Sequence, residues 1–307
     1  MKQVLILQDL GIPQEEFDNL ASKSKIPLEF TKDSASNQEN IEGIITIKAK
    51  VDEELLNKLP HLKFIAVAFT GYDCVDMTAA KKKNIVVMNV PSYATDCTAE
   101  LAVGLAISLL REIPKGDKIT RSDGWDLKPG LELSGKTVGI IGTGKIGIRV
   151  AELFKAFNCN IIGWSRSQNK VFKKIGGTYK QKIDDVFKEA DIISIHLLLN
   201  ETTKGIINSD LLSKMKKSAF LINVARGPIV STADLANALT DGKIAGAGID
   251  VYDQEPILPD NPLLKAPNTI LTPHVAYKTE ESLIRRAEVT LQNIHSFIKG
   301  DPANLVS

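Results

Sequence analysis

The ten residues VGIIGTGKIG, 138–147, restrict the fold of this chain more than any other stretch. An apolar run leads into Gly142, and Gly142, Gly144 and Gly147 follow the pattern G-x-G-x-x-G directly before the helix-like segment IRVAELFKAF. Strand, glycine turn and helix in this order make the first half of a βαβ unit, and each glycine has its own task. Gly142 permits the tight turn, Gly144 lets backbone approach a pyrophosphate, and Gly147 lets helix and strand pack closely. The helix start, at Lys145 and Ile146, then offers free N–H groups and the positive end of a dipole to an anion.

Five further apolar runs follow: CNIIGWS (159–165), DIISIHL (191–197), FLINVA (220–225), AGAGIDV (245–251) and NTILTPH (268–274). They hardly alternate with polar residues, as strands buried on both faces do not. Separated by helical or loop segments, they predict a doubly wound nucleotide-binding domain. In one such segment, STADLANALTDG, Ser231 and Asp234 have capping-box spacing. An earlier series, VLILQ (4–8), GIITIK (43–48), FIAVAF (64–69) and IVVMNV (85–90), alternates with helix-like pieces and predicts a second parallel sheet. Between the series lies TAELAVGLAISLLREI (98–113), apolar nearly all round, which implies burial on every side, between domains or against a second subunit. RSDGWDLKPGLELSGK (121–136) has no periodicity and reads as an arm, and 279–300 reads as a long amphipathic helix. The expected domains are 1–97 with 284–307, and 98–283.

Lys plus Arg number 38 against 37 Asp plus Glu, so bulk charge argues for neither nucleic acid nor a membrane surface as partner. The most apolar segment, LAVGLAISLL (101–110), is half the length of a membrane span. The N-terminus reads as a first strand and not as a signal peptide. Cys74, Cys97 and Cys159 share no metal-type spacing, no metal site is expected, and they read as buried thiols of a reducing, cytoplasmic compartment.

The second strand of the nucleotide domain ends Trp164-Ser165-Arg166-Ser167. In NAD-binding folds this position usually carries an acid that holds the ribose. Between Gly147 and Asp184 the sole acid is Glu152, inside the first helix, so Ser165 stands where the ribose acid is expected. Arg166 follows, with Ser167 and Lys170 close behind. An acid would repel a 2′-phosphate, whereas serine and arginine bind one through charge-assisted hydrogen bonds. The expected cofactor is NADP(H), with NAD(H) the alternative.

Of the four histidines, His61 and His295 read as surface residues. His196 ends a strand at the face where doubly wound sheets bind ligands, so it is expected to line the cofactor site. His274, in LTPHVAY, also ends a strand. VGIIGTGKIG, NVARGPIV, GIDVYDQEP and LTPHVAYKT, in this order and spacing, resemble the D-isomer-specific 2-hydroxyacid dehydrogenases, and TGYDCVD and NVPSYATDCTAE extend the resemblance over essentially the whole chain.

The resemblance implies an α/β protein of two doubly wound domains, a flavodoxin-like substrate domain and a Rossmann cofactor domain, with a cleft between them. It implies hydride transfer from a nicotinamide cofactor to a small 2-keto acid, giving a D-2-hydroxy acid. His274 would be the general acid/base beside the nicotinamide, and Glu255 would orient it and favour its protonated form. Arg226 would bind the substrate carboxylate, with backbone N–H groups around Thr70 and Gly71 taking the rest. Asp250 would accept from the nicotinamide carboxamide, Val224 and Ala225 would line its pocket, and Thr98 would lie close to the cofactor. Family members are usually homodimers, and Trp125 in the arm would reach a partner subunit.

Ser165-Arg166-Ser167 looks like the glyoxylate and hydroxypyruvate reductase members, while Leu198 stands where the family usually has proline. Two other readings stay open: an NAD-preferring, lactate-type dehydrogenase, and a dinucleotide-sensing protein like the dehydrogenase-like co-repressors.

Overall fold

The computed structural model describes residues 2–33 and 38–306. The chain divides into two units, Met1–Ala94 with Lys278–Ser307, and Thr95–Tyr277. The cuts fall before those drawn at 97 and 283, for a local reason. A cut at 283 would pass through the first turn of the C-terminal helix Glu280–Ile298, which is closed at its start by a reciprocal cap. There Thr279 Oγ1 accepts from Ser282 N and Ser282 Oγ accepts from Thr279 N.

The first unit runs β1 (Gln3–Ile6), α1 (Gln14–Lys23), β2 (Glu29–Thr31), β3 (Ile41–Thr46), α2 (Glu53–Lys58), β4 (Phe64–Val67), α3 (Met77–Lys82) and β5 (Val86–Asn89), and ends in the C-terminal helix. Its strands are all parallel in the order β2-β1-β3-β4-β5, the flavodoxin-like arrangement. Asp52 and Asp76 cap α2 and α3 by accepting from Leu55 N and Ala79 N. The C-terminal helix buries Leu283, Ala287, Leu291 and Ile294, one stripe at helical spacing. That face meets α1 and β4, with the Phe297 ring 4.7 Å from Phe64.

The second unit opens with α4 (Thr95–Leu110) and α5 (Ile113–Arg121). The single apolar helix expected through 113 is therefore two, broken where Glu112 takes a left-handed φ of 48° ahead of Pro114. α4 is largely buried. Then come β6 (Thr137–Ile141), α6 (Lys145–Ala156), β7 (Asn160–Trp164), α7 (Lys170–Lys174), β8 (Thr178–Tyr179), α8 (Ile183–Glu189), β9 (Ile192–Ile195), α9 (Ser209–Ser213), β10 (Phe220–Asn223), α10 (Thr232–Thr240), β11 (Gly246–Ile249) and β12 (Thr269–Leu271). α4 packs against α6 and against β10, β11 and β12. The strands are all parallel in the order β12-β11-β10-β9-β6-β7-β8. The chain runs outward from β6 to β8, then returns to β9 on the other side of β6. A doubly wound sheet opens its ligand crevice at that reversal, beyond the carboxyl ends of the strands.

Two strands have no counterpart in the sequence reading, β2 and β8. Both are edge strands of two or three residues, too short to show a period. Ser231 does cap α10, accepting from Asp234 N at 3.4 Å, but the return half of the expected box is absent. Asp234 instead accepts from Ser209 N at 3.0 Å, joining α10 to α9. Residues 124–132 form neither helix nor strand, and Trp125 is 91% exposed there. Among the described residues no helix is long and apolar enough to cross a membrane.

Candidate active site

At the reversal, β6 delivers Gly142 with φ +99°. A Cβ on Gly147 would lie 2.0 Å from the Gly142 carbonyl oxygen, so only glycine lets α6 begin this close to the turn. Gly144 caps α6, and a Cβ there would meet nothing within 4 Å. The turn is therefore tight on its protein side and open on the other. The backbone at Lys145 and Ile146, in the first turn of α6, precedes the first intrahelical bond, from Ile148 N to Gly144 O.

A cavity of about 830 Å³ opens from this loop. Gly142, Thr143 and Gly144 form one wall, Ser165, Arg166, Ser167 and Lys170 another, and His196, Leu197 and Leu198 a third. Of the residues predicted to hold a cofactor, Gly142, Gly144, Ser165, Arg166, Ser167 and His196 line it. No carboxylate does, while two cationic side chains do. Phosphate-accepting backbone, hydroxyls and positive charge suit a phosphorylated dinucleotide, so the residues present fit that group.

His196 follows β9, and its Nε2 lies 2.8 Å from Ser194 Oγ. Burial pushes its pKa down to about 3 from an ordinary 6.5, so it is neutral at working pH. An unfolded His196 takes up its proton near pH 6.5 and the folded one only near pH 3. Its contribution to stability is thus full above pH 6.5 and is lost as pH falls from 6.5 towards 3. We expect His196→Gln to flatten the fall in Tm between pH 6.5 and 4.5; an unchanged slope by calorimetry rules this out.

A second set of side chains gathers beyond β10, β11 and β12. His274 Nδ1 lies 2.6 Å from Glu255 Oε2. The other oxygen, Glu255 Oε1, accepts from Tyr252 N at 3.2 Å. His274 itself has φ +53°, a left-handed conformation held by the bond from its N–H to Thr272 O. The Tyr277 ring meets the imidazole edge-on at 5.6 Å. Arg226 follows β10, and its Nη1 donates to the neighbouring Ala225 O at 2.8 Å. Asn223 fixes that segment, accepting from Ala225 N and donating to Arg226 O. A Cβ on Gly227 would fall 1.9 Å from the Tyr252 carbonyl carbon, so the segments carrying Arg226 and Glu255 touch backbone to backbone.

Asp250 is fully buried, and its carboxylate accepts from Thr272 Oγ1 at 2.6 Å and from Val275 N and Ala276 N at 2.9 Å each. It ties β11 to the turn that holds His274. Thr98 in α4 donates to Ala276 O at 3.4 Å, supporting the same turn. Val224 is buried and Ala225 half-buried. Asn223, Tyr252 and Thr272 were not singled out from the sequence, though an asparagine two and three residues ahead of the alanine and arginine it binds is a recognisable turn signal.

In the first unit, Thr70 and Gly71 follow β4. Thr70 is pinned through its side chain, which donates to Val90 O, and its carbonyl, which accepts from Asn89 Nδ2. Among the described residues, neither N–H donates to a protein acceptor.

The profile of the family described as "D-isomer specific 2-hydroxyacid dehydrogenase, NAD binding domain" matches residues 103–276. A glyoxylate reductase of Thermofilum pendens is 40% identical over 267 residues, 84% of this chain and 78% of that protein. A hydroxypyruvate reductase of Blautia hydrogenotrophica is 33% identical over 272 residues, 86% and 84% of the two. The crystal structure of D-lactate dehydrogenase from Aquifex aeolicus, complexed with NAD and lactic acid, superposes with TM-score 0.86 at 30% identity and covers 99% of each chain.

Proposed function

This chain belongs to the D-isomer-specific 2-hydroxyacid dehydrogenase family, and from that premise we propose that it reduces small 2-keto acids such as glyoxylate or hydroxypyruvate to D-2-hydroxy acids with NADPH. The observation that carries the chemistry is the 2.6 Å contact between His274 Nδ1 and Glu255 Oε2. A carboxylate only accepts, so Nδ1 holds its proton towards Glu255 and Nε2 is left to face substrate. Arg226 takes the substrate carboxylate, its guanidinium fork swinging from Ala225 O, and places the carbonyl for attack. When bound, the dinucleotide supplies the hydride that the carbonyl carbon accepts. His274 Nε2 then donates a proton to the carbonyl oxygen as negative charge grows there, and in the oxidative direction the same nitrogen removes it. Glu255, held at both oxygens, keeps the imidazole in line and opposes the positive charge it carries when protonated.

The preference for NADPH is supported by the carboxylate-free cavity with Ser165, Arg166 and Ser167 on its wall. A steady-state panel of glyoxylate, hydroxypyruvate and pyruvate, each with NADPH and NADH, tests both parts. NADPH is expected to be used in preference to NADH. Arg166→Ala is expected to weaken NADPH by roughly 10–100-fold, the loss of one or two charged hydrogen bonds at ~1.5–3 kcal/mol. NADH should barely change. Equal loss for both cofactors defeats the 2′-phosphate reading, and no oxidation of reduced nicotinamide with any keto acid defeats the reductase.

A further inference from the structure

Tyr179 has no place in the cavity wall, yet its hydroxyl joins the two walls that meet a dinucleotide. It sits on β8, in register with Gly163 of β7. Its ring packs on Phe172, centroids 4.8 Å apart, with Lys173 Nζ 5.9 Å from its centre. Packing therefore fixes the phenol independently of its oxygen. That oxygen accepts from Asn169 N at 2.8 Å and lies 2.5 Å from Thr143 Oγ1. Thr143 lies inside the glycine turn, and Asn169 closes the loop that carries Ser165, Arg166 and Ser167.

The loop has little else to hold it. Among the described residues, Ser165, Arg166, Ser167 and Gln168 make no hydrogen bond to the rest of the chain. It is tethered at one end by β7, where Gly142 N donates to Trp164 O, and at the other by Asn169. Asn169 Oδ1 is spent locally on Val171 N, which leaves its N–H as the tie to the sheet. Because the Tyr179 oxygen already accepts from Asn169, its own proton is free to go to Thr143 Oγ1. The Thr143 O–H is then turned away from Tyr179 and available to a ligand in the cavity that Thr143 lines.

We propose that Tyr179 is a positioning residue for the cofactor: its hydroxyl latches the arginine-bearing loop to the phosphate loop, holding Arg166 where it meets the 2′-phosphate. This rests on the NADPH reading. An untethered loop must be ordered each time NADPH binds, and that cost lowers affinity. NADH shares the phosphate loop but not the 2′-phosphate, so it loses less.

The test is Tyr179→Phe, which keeps the ring and removes only the oxygen, alone and combined with Arg166→Ala. Dissociation constants for NADPH and NADH are read by fluorescence titration of the full chain. We expect Tyr179→Phe to weaken NADPH about tenfold and NADH no more than about threefold. In the Arg166→Ala background the extra loss for NADPH should shrink to that for NADH, because the two residues act through one contact. Unchanged affinities overturn the latch. So does an equal loss for both cofactors that adds fully to Arg166→Ala, since a merely structural hydroxyl would behave so. If Arg166→Ala shifts the NADPH-to-NADH ratio and Tyr179→Phe does not, only the latch fails. If Arg166→Ala leaves the ratio untouched, the 2′-phosphate reading fails and the latch falls with it.

Discussion

His274→Ala is expected to lower kcat about 10³-fold while the dissociation constant for NADPH stays within about threefold. A positioned general acid contributes ~10²–10⁴ in rate, and His274 is the group that Glu255 holds in place for that role. Tyr277 meets it with a ring edge, and Glu255 faces its Nδ1 rather than its Nε2. The glycine turn and Arg166 line a cavity whose walls do not include His274, so cofactor binding is expected to persist. Glu255→Gln separates orientation from charge. It preserves an acceptor for Nδ1–H but removes the negative charge, so kcat should fall less than in His274→Ala. Single-turnover absorbance at the reduced-nicotinamide band reads the chemical step directly. A His274→Ala enzyme that still turns over glyoxylate or hydroxypyruvate within tenfold of wild type would sink the mechanism.

How much of this was legible before the structure depends on how far apart the interacting residues lie. The long strands of both sheets announce themselves because burial on two faces demands continuous apolar runs, as in FLIN of β10, buried at every position. The glycine turn is legible for a similar local reason: Gly147 answers a clash with Gly142 and Gly142 one with His196 beyond the next strand, while Gly144 leaves the ligand side open. β2 and β8 escape because an edge strand of two or three residues has no period to detect. Tyr179 escapes with β8, since its value lies in reaching Thr143, 36 positions earlier, and only the sheet register brings them together. The Ser231–Asp234 box shows the reverse failure. Its spacing was right, but Ser209 N, 25 residues away, supplies the donor that Asp234 takes instead. Asp250 adds a long-range feature at the site. That a strand-end acid also gathers three donors from the His274 turn and its neighbours is visible only in the fold.

Gly227→Ala is expected to lower kcat/KM at least ~100-fold and Tm by about 2–12 °C, although residue 227 carries no chemistry. The added methyl would lie 1.9 Å from the Tyr252 carbonyl carbon, 2.1 Å from its oxygen and 2.4 Å from Asp253 N. All three are backbone atoms, so no rotamer change relieves the clash, and overpacking of this kind costs ~1–3 kcal/mol or more. For a unit of this size each kcal/mol is worth about 2–4 °C of Tm. The segments have to part by an ångström or more to reach ordinary contact, and they are the ones that carry Arg226 and Glu255. A misplacement of ~1 Å in a catalytic constellation costs on the order of 10²-fold. Gly104→Ala is the matched control: the same methyl is added in α4, where a Cβ meets nothing within 4 Å, and helix propensity alone favours the change. Its Tm should hold or rise, and its activity should be unchanged. A Gly227→Ala protein with wild-type Tm would show that the two backbones do not touch in solution. One that melts early but keeps full kcat/KM at a temperature where it is folded would show that the contact stabilises the unit without setting the distance between arginine and glutamate.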